Sequence, residues 1–165
     1  MSHDYKKAVV EFFRKTTGYE TLIETGTYYG DMVWANISKF DRIVSIELSD
    51  KLYRKARDRF SNLYPNVELY HGDSTDILPE IMKTLKDPAI FWLDGHYSKG
   101  VTARGKKDTP IREELSCILS HHLKHVILID DARCFGQGDY PALDEIKQMA
   151  VNYEYTLIND IIRLT

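Results

Sequence analysis

A chain of 165 residues, 43% hydrophobic and 28% charged, fits a single domain spanning 1–165 whose core needs no disulfide framework or structural metal. Its formal net charge of -3 gives no general attraction to nucleic acid or anionic lipid, so neither is an expected partner. The longest apolar runs are strand-sized, well short of the roughly 20 residues of a membrane helix, which excludes a spanning segment.

In chain order, YKKAVVEFFRKT (5–16) places Val9, Phe12 and Phe13 on one side and predicts a helix. TLIETG predicts a short strand entering a glycine loop, and 31–39 a second helix. RIVSIE (42–47) is the next apolar run, and Ser49 suits the cap of a helix over DKLYRKARDRF, where Leu52, Ala56 and Phe60 recur at helical spacing. Pro65 punctuates the chain before VELYHGD, a third strand and turn, and a helix follows around ILPEIMKTL. AIFWLD (89–94) is apolar until its last residue, as a central parallel strand covered on both faces would be. YSKGVTARGKKDTP (97–110) is the longest loop, with Arg104, Lys106 and Lys107 suited either to a solvated surface or to a lid over a polyhydroxylated or anionic reactant. A helix from about Ile111 to Leu119, the strand HVILID (125–130), a helix over PALDEIKQMA and an antiparallel pair from EYTLIND and IIRLT complete the chain. The polar MSHDYKK start carries no signal-peptide pattern, and Cys117 and Cys134 form no CxxC pair, which makes a cytoplasmic location with buried, reduced thiols the default.

Repeated strand–helix alternation predicts an α/β fold, a Rossmann-like, mostly parallel sheet with helices on both faces. Ligands of such sheets bind beyond the carboxyl ends of the strands. The residues that end or follow these strands are Glu24, Glu47, Asp73, Asp94 and the pair Asp130–Asp131, and every one is acidic. Surface charge placed without function would scatter along helices instead.

In ETGTYYG, Gly26 and Gly30 bracket a tight strand-to-helix turn around Thr27. The middle glycine of the dinucleotide GxGxxG pattern is missing, so alone the segment is also compatible with a turn that simply needs glycine. Glu47 follows about 20 residues later, where a carboxylate accepts hydrogen bonds from both ribose hydroxyls. Asp73 can accept from an adenine amino group, with Ser74 beside the ring, and either residue is equally suited to capping a helix. Asp94, Asp130 and Asp131 lie at the ends of two strands expected to be neighbours. Converging carboxylates repel unless protonated or neutralised, and a hard divalent cation, magnesium first, neutralises an all-oxygen set. The competing account has Asp94 holding a loop or facing a cofactor, with one of the pair capping the next element. His96, two residues past Asp94, has a neutral imidazole suited to accepting a proton near neutral pH.

The succession ETGTYYG, IVSIE, HGDS, IFWLDGH, ILIDD resembles the class I S-adenosylmethionine-dependent methyltransferases over about residues 20–131, closest to the small-molecule O-methyltransferases that include sugar, macrolide-tailoring and catechol-type enzymes. The resemblance implies seven strands with the last antiparallel, and methyl transfer from S-adenosylmethionine to a small, possibly sugar-like, hydroxyl compound. It implies Glu24, Gly26, Thr27 and Gly30 around the amino-acid part of the cofactor, Glu47 at its ribose, and Asp73 and Ser74 at its adenine. Asp94 would face the reacting end with His96 as base, and Asp94, Asp130 and Asp131 match the positions that hold magnesium in the metal-dependent members. The chain is short for this group, so acceptor recognition would fall to the N-terminal helix, the 97–110 loop, the loop after Asp131, or a second copy in a homo-oligomer. The other readings are an NAD-dependent reductase, against which the absence of a Tyr-x-x-x-Lys pair at the expected place counts, and a non-catalytic interaction protein of Rossmann-like fold.

Overall fold

The computed structural model describes residues 2–60, 62–95 and 109–165. The order of elements is α1 (His3–Thr17), β1 (Thr21–Thr25), α2 (Asp31–Asn36), β2 (Arg42–Glu47), α3 (Asp50–Phe60), β3 (Val67–His71), α4 (Ser74–Thr84) and β4 (Ile90–Leu93), then α5 (Ile111–Leu119), β5 (Val126–Ile129), a single 3-10 turn (Ala132–Cys134), α6 (Leu143–Met149), β6 (Tyr155–Ile158) and β7 (Ile161–Leu164). The seven strands form one sheet in the order β3-β2-β1-β4-β5-β7-β6. β1 to β5 pair in parallel, whereas β7 runs antiparallel to both β5 and β6.

The central strands are buried on both faces, which is why they read as continuous apolar runs. Alternate residues go to opposite layers: Ile23, Phe91, Leu93, Ile127 and Ile129 pack under α4, α5 and α6. Leu22, Ile90, Trp92, Val126 and Leu128 pack against α1, α2 and α3. On α3 the expected stripe of Leu52, Ala56 and Phe60 is buried. On α1 the expectation is corrected in part. Val9 and Val10 are buried, but Phe12 is 54% exposed, because the 3.6-residue period puts residues 6, 9, 10 and 13 on the inner face and swings 12 away from it. Both cysteines are free and only half-buried, not fully buried as expected. Among the described residues no helix is long and apolar enough to cross a membrane.

Two connections set up the site. The chain runs outward from β1 through β2 to β3, then crosses back to place β4 on the other side of β1. That reversal opens a crevice beyond the carboxyl ends of β1 and β4, the location where open α/β sheets take their ligands.

Candidate functional site

Gly26 and Asp94 face each other across this crevice. Gly26 has φ +87, and a Cβ there would lie 2.5 Å from the Asp94 carbonyl oxygen, so only glycine fits the approach of the two loops. The turn is fixed by the Gly26 and Thr27 N–H groups, which both donate to the Ile46 carbonyl, at 2.9 and 3.3 Å. Gly30, φ +77, serves a different purpose. A Cβ there would meet the Phe60 ring at 2.5 Å, so this glycine lets the start of α2 pack on α3.

The rim carboxylates gather as the strand ends require. Glu47 is the last residue of β2; its Oε2 accepts from the Tyr28 N–H and its Oε1 from the Ser49 N–H, each at 2.8 Å. Burial raises its pKa, and the two amides oppose that rise. A carboxylate has about four acceptor sites, so this fixed group retains capacity for two further hydroxyl donors. Glu24 lies one residue inside the rim, since β1 extends to Thr25. It is 2% exposed and accepts from the Ser45 hydroxyl at 2.6 Å. Burial pushes its pKa up to about 8 against that hydrogen bond, and the charges of Asp94 and Glu47 add to the rise. The Thr27 hydroxyl is 2.6 Å from Ser45 Oγ and is thus committed to the same buried network. Asp73 caps α4: its Oδ1 accepts from the Thr75 N–H at 3.0 Å and the Thr75 hydroxyl at 2.8 Å. Ser74, just inside that helix, is buried. Tyr28 and Tyr29 are exposed, at 43% and 44%, and their rings meet edge to face.

Asp94, Asp130 and Asp131 come together. Each offers an oxygen, and the three oxygens lie within 4.8 Å of one another. β5 ends at Ile129 and Asp131 adopts φ +56, so adjacent aspartates escape the strand alternation that would have pointed them apart. Asp130 Oδ1 accepts from the Asp131 N–H at 2.9 Å, and its Oδ2 is paired with the Lys6 ammonium from α1. Burial, then the Asp94 charge, pushes the Asp130 pKa up to about 6 in spite of Lys6. Arg133 pairs with Asp131 at 2.6 Å and also with Asp160. Two oxygens on opposite sides of a magnesium ion are about 4.2 Å apart and of calcium about 5 Å, so the donor type and spacing fit a hard divalent cation. Lys6 and Arg133 bring positive charge to the cluster, Lys6 at Asp130 and Arg133 shared between Asp131 and Asp160.

A narrow cleft beside this cluster is lined by Asp94, Gly95, Thr109, Glu114, Asp130 and Tyr140. Glu114 is 1% exposed, and its Oε1 and the buried Thr25 Oγ1 have no hydrogen-bond partner among the described residues. Both atoms point to the place a side chain at Gly95 would occupy, at 3.3 and 3.2 Å from its Cβ position. Burial raises the Glu114 carboxyl to about 7, and the nearby Ser74 and Thr25 hydroxyls, neither of which reaches Oε1 in hydrogen-bonding geometry, oppose that rise.

Lys6, Arg133 and Glu114 are functional candidates that strand-end reading misses. For Lys6 and Glu114 the signal is a charged residue on an apolar helical stripe: Lys6 with Val9 and Val10, and Glu114 with Ile111, Leu115 and Ile118. His96 and residues 97–108 of the predicted loop lie outside the described residues.

No protein-family model matches the chain, and no curated protein does. Solved structures are similar. The O-methyltransferase TomG from Streptomyces achromogenes, involved in tomaymycin synthesis and in complex with SAM, is 16% identical with a TM-score of 0.67, over 99% of this chain and 80% of that one. An O-methyltransferase from Bacillus cereus in complex with SAH is 18% identical with a TM-score of 0.65, over 100% and 82% of the two chains. The SAH-bound methyltransferase PaMTH1 from Podospora anserina is 17% identical with a TM-score of 0.67, over 99% and 78%. The chain therefore has the Rossmann-like methyltransferase fold, a seven-stranded sheet with its last strand antiparallel.

Proposed function

We propose that this chain transfers the methyl group of S-adenosylmethionine to a hydroxyl of a small, polyhydroxylated, sugar-like molecule. The observation that carries the reading is the shared rim: Glu47 closes β2 and Asp94 follows β4, on the two sides of the crevice between β1 and β4. Similar folds that hold SAM or SAH add support.

In this reading Glu47, held rigid by two backbone amides, accepts the ribose hydroxyls. Asp73 keeps Oδ2 for an adenine amino group while Oδ1 caps α4. Gly26 lets the loop approach the amino-acid portion, with Thr27 and Glu24 beneath it as the buried network that fixes the turn. The bound cofactor supplies a methyl carbon on a sulfonium, open to in-line displacement by an oxygen held at near-attack distance. Asp94 orients that oxygen at the mouth of β4. His96, two residues further on, accepts its proton, for which a neutral imidazole is matched near pH 7.

Asp94, Asp130 and Asp131 would hold magnesium, which lowers the pKa of a coordinated hydroxyl and fixes its position. Such a cation suits acceptors with adjacent hydroxyls, which is why a sugar-like or catechol-like acceptor is preferred over an isolated alcohol.

Titration calorimetry tests the cofactor assignment: SAH is expected to bind with a Kd in the micromolar range, roughly -8 kcal/mol. Binding of NAD with no response to SAH or SAM would overturn it in favour of a reductase. Once an acceptor is found in a panel of sugars and catechols, a chelator should abolish turnover; full activity in its presence removes the cation from the reading.

A further inference from the structure

Lys6 lies on the inner face of α1, one turn before Val9 and Val10, yet its side chain leaves that apolar layer and ends in the carboxylate cluster beyond β5. The side chains of Lys6 and Asp130 are 17% and 1% exposed, so the pair is largely withdrawn from water. Asp94 and Asp131 also attract this ammonium, so one cation faces all three carboxylates from the inside. Arg133, by contrast, approaches Asp131 from the exposed side and shares itself with Asp160.

Both oxygens of Asp130 are engaged, Oδ1 by the Asp131 N–H and Oδ2 by Lys6. Each oxygen keeps a second lone pair, but a divalent ion bonded to either one would stand within a few ångströms of the ammonium held by the same carboxylate. Like charges at that separation in a poorly hydrated site repel strongly. A second observation also points to an incoming ligand: the buried Glu114 Oε1 faces the adjoining cleft with no partner among the described residues.

We propose that the Lys6 ammonium is the resident cation of this cluster and that a divalent ion enters only by displacing it. The proposal rests on the divalent-cation reading given above. Its consequence is that α1 belongs to the reaction site. Lys6 keeps cation affinity low until an acceptor with adjacent hydroxyls brings further oxygen ligands that tip the exchange, so cation and acceptor load together.

The test is direct binding of Mn2+, read by electron paramagnetic resonance and competed with Mg2+, on the full chain and on Lys6→Met and Lys6→Gln. Each variant is first checked for a cooperative thermal melt. At least tenfold tighter Mn2+ binding is expected in the variants than in the wild type. Equal affinity overturns the displacement and leaves the divalent-cation reading standing. Uptake by neither wild type nor variants overturns the cation reading itself, and the displacement with it. A variant-free readout keeps the proposal exposed if both substitutions prevent folding: the Lys6 side-chain nitrogen resonance should shift on saturation with Mg2+. A resonance that stays in place while Mg2+ binds overturns the proposal.

Discussion

The Cα of Gly26 faces the carbonyl oxygen of Asp94 so closely that the smallest side chain would come within 2.5 Å of it. This contact joins the loop after β1 to the loop after β4 and sets the width of the crevice between them. Gly26→Ala therefore meets two obstacles, a left-handed φ of +87 and an immovable backbone atom. Together they should cost about 2–4 kcal/mol, which lowers Tm by about 5–15 °C in a domain of this size. SAH affinity should fall as well, because the loops must part. A melt and a calorimetric titration that both match the wild type would show that the crevice is not built around this contact.

Glu47 offers the sharpest test of the nucleoside site. Glu47→Gln preserves shape but removes the charge and one of the two oxygens now fixed by Tyr28 and Ser49. Hydrogen bonds to a charged group contribute about 1.5–3 kcal/mol, so SAH binding should weaken by roughly ten- to a hundredfold. The comparison variant is Glu68→Gln, whose carboxylate, on edge strand β3, pairs with Arg42 at the start of β2, the end away from Glu47. It should leave SAH binding unaltered. Equal losses in the two variants would remove Glu47 from the ribose.

The sheet was legible because its central strands are apolar on both faces, and RIVSIE coincides with β2 from Arg42 to Glu47. The clustering of Asp94 with Asp130 also followed from strand order alone, once β4 and β5 were taken as neighbours. What periodicity could not supply was the partner of each carboxylate. Lys6 lies 124 positions from Asp130, and no local pattern encodes that pairing. Glu114 was hidden for a related reason: its place on the stripe of Ile111, Leu115 and Ile118 marks it as inward-facing, but not which cleft it borders. Asp131 was ambiguous because side-chain direction after a strand depends on where the strand stops. The positive φ at that residue is a tertiary outcome.

Two buried carboxyls make the fold sensitive to alkali. Glu24 and Glu114 have pKa values raised to about 8 and about 7, chiefly by burial. The folded state therefore holds protons that the unfolded chain, with ordinary carboxylates near 4.5, has released. Their contribution is fully present below about pH 4.5 and is lost as pH rises through 7 and 8, at about 1.4 kcal/mol per unit of displacement for each group. Glu24→Gln keeps an acceptor for the Ser45 hydroxyl and cannot ionise. Denaturant titrations should find it close to wild type at pH 5 and more stable at pH 9. A variant whose stability falls with pH as steeply as the wild type would disprove the assignment.

At the opposite end of the sheet, His125 should produce the acid limb. Its ring is buried between α5 and β5, and Nδ1 accepts from the Ala89 N–H at 3.1 Å, which requires that nitrogen to be unprotonated. The other ring nitrogen lies 2.9 Å from His121 Nδ1, so the tautomer that accepts at Nδ1 donates at Nε2. Burial, then the neighbouring His121 and His122, lowers the His125 pKa to about 4, whereas an unfolded histidine titrates near 6.5. Between those values the unfolded chain binds the proton and the folded one does not. Stability from this group is present above pH 6.5 and drains away as pH falls through 4. His125→Asn retains an acceptor for Ala89 and has no titrating group. Its stability should thus decline less than that of the wild type between pH 6.5 and 4.5, even if it starts lower because the ring no longer packs on Phe91. Parallel pH profiles for the two proteins would mean that the acid sensitivity lies elsewhere.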